Sequence, residues 1–140
     1  MRSVLFAGFV SLGFLAACSS PSAGLKIEPP KNNNGDESIL LGTLDLPRVG
    51  IGIWAGNLSV TDGALSCEGS DPSSKVDVGW AVGRIRHDLE LICDDGRTGS
   101  VHVTLSGSSQ ENMVGVGVGK LSDGSKLRLI VGDSVGTLNW

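Results

Sequence analysis

The sequence has no tyrosine, only three tryptophans, and three phenylalanines that all precede residue 15. Surfaces that hold sugars or single-stranded nucleic acid stack their ligands on several exposed rings. Trp54, Trp80 and Trp140 are too few for such a platform. The chain also lacks a CxxC pair, and neither histidine adjoins a cysteine, so a zinc or dithiol centre is not expected. Serines are frequent, yet none sits in the setting of a nucleophile elbow. Gly115-Val116-Gly117-Val118-Gly119 is rich in glycine, but no helix follows it. A phosphate loop needs a helix N-terminus, so this run reads as a strand. A concentrated basic stretch is missing too. The net charge is −4 and the basic residues are scattered, which argues against nucleic acid as a partner. No cofactor and no catalytic activity are expected.

What is present begins at the N-terminus. Arg2 supplies a positive start, and Val4 to Leu15 is an almost unbroken apolar run. Such a run is shorter than the roughly 20 residues that a membrane-spanning helix needs. It has the length of a signal-peptide apolar region. The run closes with Leu15-Ala16-Ala17-Cys18, which resembles the lipobox of bacterial lipoproteins. The resemblance covers residues 1–18. It implies cleavage before Cys18, a diacylglycerol thioether on that cysteine, and often an acyl group on the new N-terminus. Ser19 occupies the position where an inner-membrane retention signal would carry Asp, so the implied destination is the outer membrane. In layout the chain resembles small envelope lipoproteins of Gram-negative bacteria. The membrane is then a partner through the lipid on Cys18, and an envelope protein is a candidate second partner.

Cysteine arithmetic fits this resemblance. Three cysteines in an exported chain leave an odd one. Lipidation removes Cys18, and Cys67 and Cys93 remain to form a disulfide in an oxidising compartment. Without Arg2, ten of the 11 basic residues face 15 acidic ones, a net charge near −5. The composition suggests no polybasic attraction to anionic lipid.

Three segments are expected: a signal peptide at 1–17, a lipidated N-terminus with a disordered tether at 18–38, and a β domain at 39–140. The tether rests on Pro21, Pro29-Pro30 and Asn32-Asn33-Asn34-Gly35-Asp36, a composition too polar to order itself. Beyond it, apolar residues alternate with polar ones or glycine over 76–83, 89–93, 101–106, 114–119 and 127–131. Period two in successive short runs is the mark of half-buried strands. Asp62-Gly63, Asp95-Gly96 and Asp123-Gly124 are hairpin signals, suited to turns in which both central residues take positive φ. Cys93-Asp94-Asp95-Gly96-Arg97 echoes Leu121-Ser122-Asp123-Gly124-Ser125, which reads as shared hairpin grammar.

The fold class is therefore all-β: an antiparallel meander of seven or eight short strands in a small barrel or a two-layer sandwich. The strands fall near 39–44, 49–60, 64–68, 75–86, 88–94, 98–106, 112–121 and 126–140, with a split at Gly132-Asp133 left open in the last. Glycines in phase, Gly50 and Gly52 beside Trp54 and Gly115 with Gly117 and Gly119, favour the curvature of a barrel.

Candidate chemistry is sparse. His87, in the charged turn Arg84-Ile85-Arg86-His87-Asp88, and His102, on the polar side of its strand, are expected to be solvated. Asp94-Asp95 serves its turn and offers too few oxygens for calcium. Arg84, Arg86 and Arg97 would cluster if the hairpin 88–97 folded back. Leu138 and Trp140 loosely resemble the last strand of outer-membrane barrels, but several strands are too short for the 9–11 residues that such spans need. A non-enzymatic envelope lipoprotein, a protein-interaction or structural module, is the expected function. A small-ligand carrier or enzyme inhibitor built on the barrel is the alternative.

Overall fold

A computed structural model describes residues 20–32, 35–50, 53–73, 75–76, 84–107, 112–132 and 135. The strands are β1 (Ser22–Glu28), β2 (Ser38–Asp45), β3 (Arg48–Gly50), β4 (Ile53–Trp54), β5 (Gly56–Thr61), β6 (Ser66–Asp71), β7 (Lys75–Val76), β8 (Arg84–Cys93), β9 (Thr98–Ser106), β10 (Val114–Leu121) and β11 (Lys126–Val131). No α-helix occurs among the described residues.

Eight of these strands form a closed antiparallel barrel in the order β6-β5-β2-β1-β11-β10-β9-β8, and β6 pairs with β8 to close it. Each barrel strand lies beside its sequence neighbour, except that β1 meets β11. This is an up-and-down barrel, and its closure pairs away most of the sheet edge that could template association. β7 extends the β8 edge beyond β6, and β3–β4 form a separate two-stranded sheet. Closure through β6 and β8 decides for the barrel over the sandwich.

The alternation read from the sequence points into this barrel. Leu25, Leu40, Leu44, Leu89, Leu91, Val101, Val103, Leu105 and Leu129 face inward and are essentially inaccessible. Glycine does its work at the close approaches. A Cβ at Gly42 would overlap the Ser59 carbonyl oxygen, and one at Gly119 would overlap that of Ser100. Small inward positions let neighbouring backbones curl tightly, as a barrel of eight strands requires.

Several expectations need correction. Residues 22–28 are not a tether. They are β1, hydrogen-bonded to β2 on one side and β11 on the other. Ala23, Leu25 and Ile27 alternate with Ser22, Gly24 and Lys26, a period-two run hidden between Pro21 and Pro29-Pro30. The folded domain thus includes Ser22–Glu28 and does not start at Ile39. The expected strand 49–60 breaks into β3, β4 and β5, where the Ala55 N–H turns back to the Pro47 carbonyl (2.9 Å). His87-Asp88 is no turn: β8 runs straight through it. β11 stops at Val131, and Gly132 follows with φ +114°, at the position where the sequence left a split open. Gly52, Val78, Trp80, Val82, Leu138 and Trp140 lie outside the described residues.

Candidate functional site

The barrel has two unlike ends. At one, which we call the turn end, lie the connections 62–65, 94–97 and 122–125 and the longer link 29–37. At the other, the loop end, the chain enters at Ser20. The 46–55 connection with β3–β4, the 72–83 connection with β7 and the 107–113 connection lie there too.

The turn end is closed by local chemistry. Gly96 N–H donates to the Cys93 carbonyl, Gly124 N–H donates to that of Leu121, and both glycines have φ +89°. The preceding Asp keeps negative φ, since no residue other than glycine is positive among those described. These are therefore turns with a single left-handed glycine that forms a bulge, not the doubly positive turns expected. Identical geometry in two hairpins explains the sequence echo. The Asp side chains cap the turns. Asp62 Oδ1 accepts from the N–H groups of Leu65 (2.7 Å) and Ala64 (2.9 Å), and Asp123 Oδ1 accepts from Ser125 N–H (2.9 Å). The Leu65 and Ala64 amides hold the Asp62 carboxyl below its ordinary range, and the Ser125 amide leads the same effect on Asp123.

Two links tie the turns together. Arg97 bonds Asp95 of its own turn (2.7 Å) and Asp123 of the next (3.1 Å). Cys67 and Cys93, directly opposite on β6 and β8, point inward with Cα atoms 4.0 Å apart and are joined as a disulfide. That bond staples the pairing that closes the barrel. Arg84, Arg86 and Arg97 would cluster only if the hairpin folded back, and they do not, because β8 carries Arg84 and Arg86 to the loop end.

The loop end carries a buried polar pair. His87 faces inward from β8 and is only 1% exposed, against the expectation of a solvated side chain. Its Nδ1 lies 3.1 Å from Asp71 Oδ2, which also accepts from Asp88 N–H (3.0 Å). A Cβ at Gly56 would press on the His87 ring, so that glycine makes room for it. Nε2 has no hydrogen-bond partner among the described residues. Asp88 points outward and pairs with His102, which is exposed as expected. The two histidines thus lie on opposite sides of the wall. Parity reveals the difference: His87 shares its side of the strand with Leu89 and Leu91.

A serine spacing escaped the sequence reading. Gly132-Asp133-Ser134-Val135-Gly136 matches G-x-S-x-G, but a nucleophile elbow leads from a strand into a helix. Asp133, Ser134 and Gly136 lie outside the described residues. Among the described residues no group of three or more His, Cys, Asp or Glu side chains could hold a metal.

The outer wall is where residues distant in sequence assemble. On β5, β6, β8 and β9 it presents Asn57, Ser59, Glu68, Ser70, Arg86, Asp88, Glu90 and Ser100, with Ile92 as a single exposed apolar side chain among them. On β2, β1, β11 and β10 it changes character. Leu41, Val114, Val116 and Val118 point outward and are about half to two-thirds exposed (53, 47, 66 and 65%). Gly24 lies between Leu41 and Ile130, and Ile130 lies opposite Val116, but Gly24 and Ile130 are themselves buried, so the exposed apolar row is that of β10, with Leu41 set apart from it. One register step toward the turn end, Arg128 stands opposite Val118, and the next step sets Lys120 opposite Lys126. Scattered in sequence, these cations meet on one face. Lys26 on the same face is held by Glu28 and Glu37, each at 3.4 Å.

The start of β1 is held to the neighbouring strand close, in sequence, to Cys18. Ser20 Oγ donates to Asp45, and the Pro21 carbonyl accepts from Leu44 N–H (3.0 Å). Cys18 itself lies outside the described residues, but only Ser19 separates it from Ser20. Two residues span at most about 7 Å.

The chain was compared with protein-family models, curated proteins and solved structures, and none of them matches.

Proposed function

We propose that this protein is a lipid-anchored envelope lipoprotein, non-enzymatic, whose barrel serves as an interaction or structural module at the outer membrane. The observation that carries the proposal is the union of the lipobox with a barrel whose first strand begins at Ser22, four residues after Cys18. A chain acylated at Cys18 would hold its folded domain against the bilayer, with no spacer to let it roam. Two or three acyl chains suffice for stable attachment, where one alone is marginal.

The barrel wall supports a peripheral role over insertion. Membrane-spanning barrels turn an apolar band outward all round and keep a polar interior. Here the interior is leucine and valine, while Glu68, Arg86, Asp88 and Glu90 face out. The filled interior also removes the motive for a ligand carrier, because that role needs a cavity where Leu25, Leu89, Val103 and Leu129 sit.

The test is direct. Mass spectrometry of the mature N-terminus is expected to find an acylated Cys18, and Cys18→Ala is expected to abolish fatty-acid labelling. An unmodified residue 18, or a chain still starting at Met1, would overturn the anchor. Cross-linking in intact cells is expected to join the barrel to an envelope protein. Failure to capture any would remove the interaction role and leave the structural one.

A further inference from the structure

We infer that the outward face of the β10–β11 hairpin is a docking surface for anionic phospholipid, so that the barrel lies with this wall on the bilayer. The inference rests on the proposed anchor at Cys18 for its setting, but its physical basis is separate. Val114, Val116 and Val118 form one outward row on β10, exposed at a position where burial would be favourable. At about 3.4 Å per residue, the row from Val114 to Lys120 runs roughly 20 Å along the wall.

The cations complete the surface. Lys120 and Lys126 stand directly opposite each other, a like-charge pairing that works against the sheet. Neither they nor Arg128 has an ion-pair partner among the described residues. Glu28 lies opposite Lys126, but its carboxylate is 3.4 Å from Lys26. In a chain of net negative charge, three unpaired cations beside three exposed valines suit a partner with an apolar interior and an anionic surface. A bilayer containing acidic phospholipid has that layering, and long basic side chains reach back to its headgroups.

Placement favours lipid over a second protein. β1 lies beside β11, and it leaves the loop end through Ser20, two residues from Cys18. An anchor there turns docking of the adjacent wall into an intramolecular event at high effective concentration. The valines lie toward that end and the cations away from it.

The experiment removes the dependence on acylation. The chain from residue 18 onward, with Cys18→Ala, is tethered by an N-terminal histidine tag to vesicles containing nickel-chelating lipid. Acetylation of Lys120 and Lys126 is followed by mass spectrometry. On phosphatidylglycerol-containing vesicles both lysines are expected to react several-fold more slowly than on phosphatidylcholine vesicles. High salt and Val116→Asp should each restore the faster rate, while Ser70→Asp on the opposite wall should leave the protection intact. Equal rates on the two vesicle types overturn the inference. So does protection that depends on protein density instead of lipid charge, which would assign the face to a second copy. So does protection that appears only when envelope protein is added. An unacylated native N-terminus would sink the anchor but leave this result standing.

Discussion

The two ends of the barrel are built by opposite means. The turn end is short, and its own side chains finish it: aspartates cap the turns, Arg97 bridges two of them, and a disulfide locks β6 to β8. The loop end is long. It holds the incoming chain, the β3–β4 sheet and a buried histidine that satisfies one ring nitrogen and not the other. The contrast separates what holds this fold from what is free to serve it. Side-chain cross-links gather where connections are tight, while the start of β1 and the longer connections share the other end.

The largest effect should come from the strand that links the ends at the proposed anchor. Deleting residues 19–28 removes β1 and strips β2 and β11 of their shared partner. We expect loss of cooperative thermal unfolding by circular dichroism. A deletion variant that melts as the parent does would return this segment to the status of a tether.

At the turn end, replacing both Cys67 and Cys93 with Ser is expected to cost about 3 kcal/mol, since the bridge closes a loop with a sequence separation of 26. Urea unfolding with and without reductant measures it, and the reductant should affect only the parent. At the loop end, Asp71→Ala should cost about 2 kcal/mol, because the His87 ring and the Asp88 amide lose a buried acceptor. A cost below that of an exposed substitution would mean that the loop end tolerates an open polar pair.

The smallest effect concerns acid. The Asp62 and Asp123 carboxyls have lowered folded values. The stability they contribute is therefore in place above the ordinary carboxylate range, and it is lost as pH falls through the lowered values. The double variant Asp62→Asn, Asp123→Asn should be slightly less stable than the parent at neutral pH and lose less stability between pH 5 and about 2, so that the two converge in acid. Parallel pH profiles would show that these caps carry no linkage.

Legibility differed between the ends for a physical reason. Asp-Gly hairpins announce themselves because a tight turn needs glycine's left-handed φ and a capping side chain within four residues, all of it local. The alternation of Leu89, Leu91 and Cys93 was equally plain, since side chains of a strand must alternate. β1 was misread because prolines and asparagines on both sides outweighed seven residues of correct period. His87 was misread because charged neighbours suggested a turn, although its parity matched the buried leucines. The cation face was invisible, because Lys120, Lys126 and Arg128 are separated by a turn and look like three unrelated charges.

By itself, then, the sequence determined the all-β class, the turn positions and the lipobox that motivates the anchor, each a property of a few adjacent residues. Only the tertiary structure decided that β1 closes on β11 across roughly a hundred residues, that His87 is buried, and that valines and lysines share one wall. Those outcomes depend on register and closure. A pairing between distant strands is fixed by the barrel as a whole, and no local window of sequence contains it.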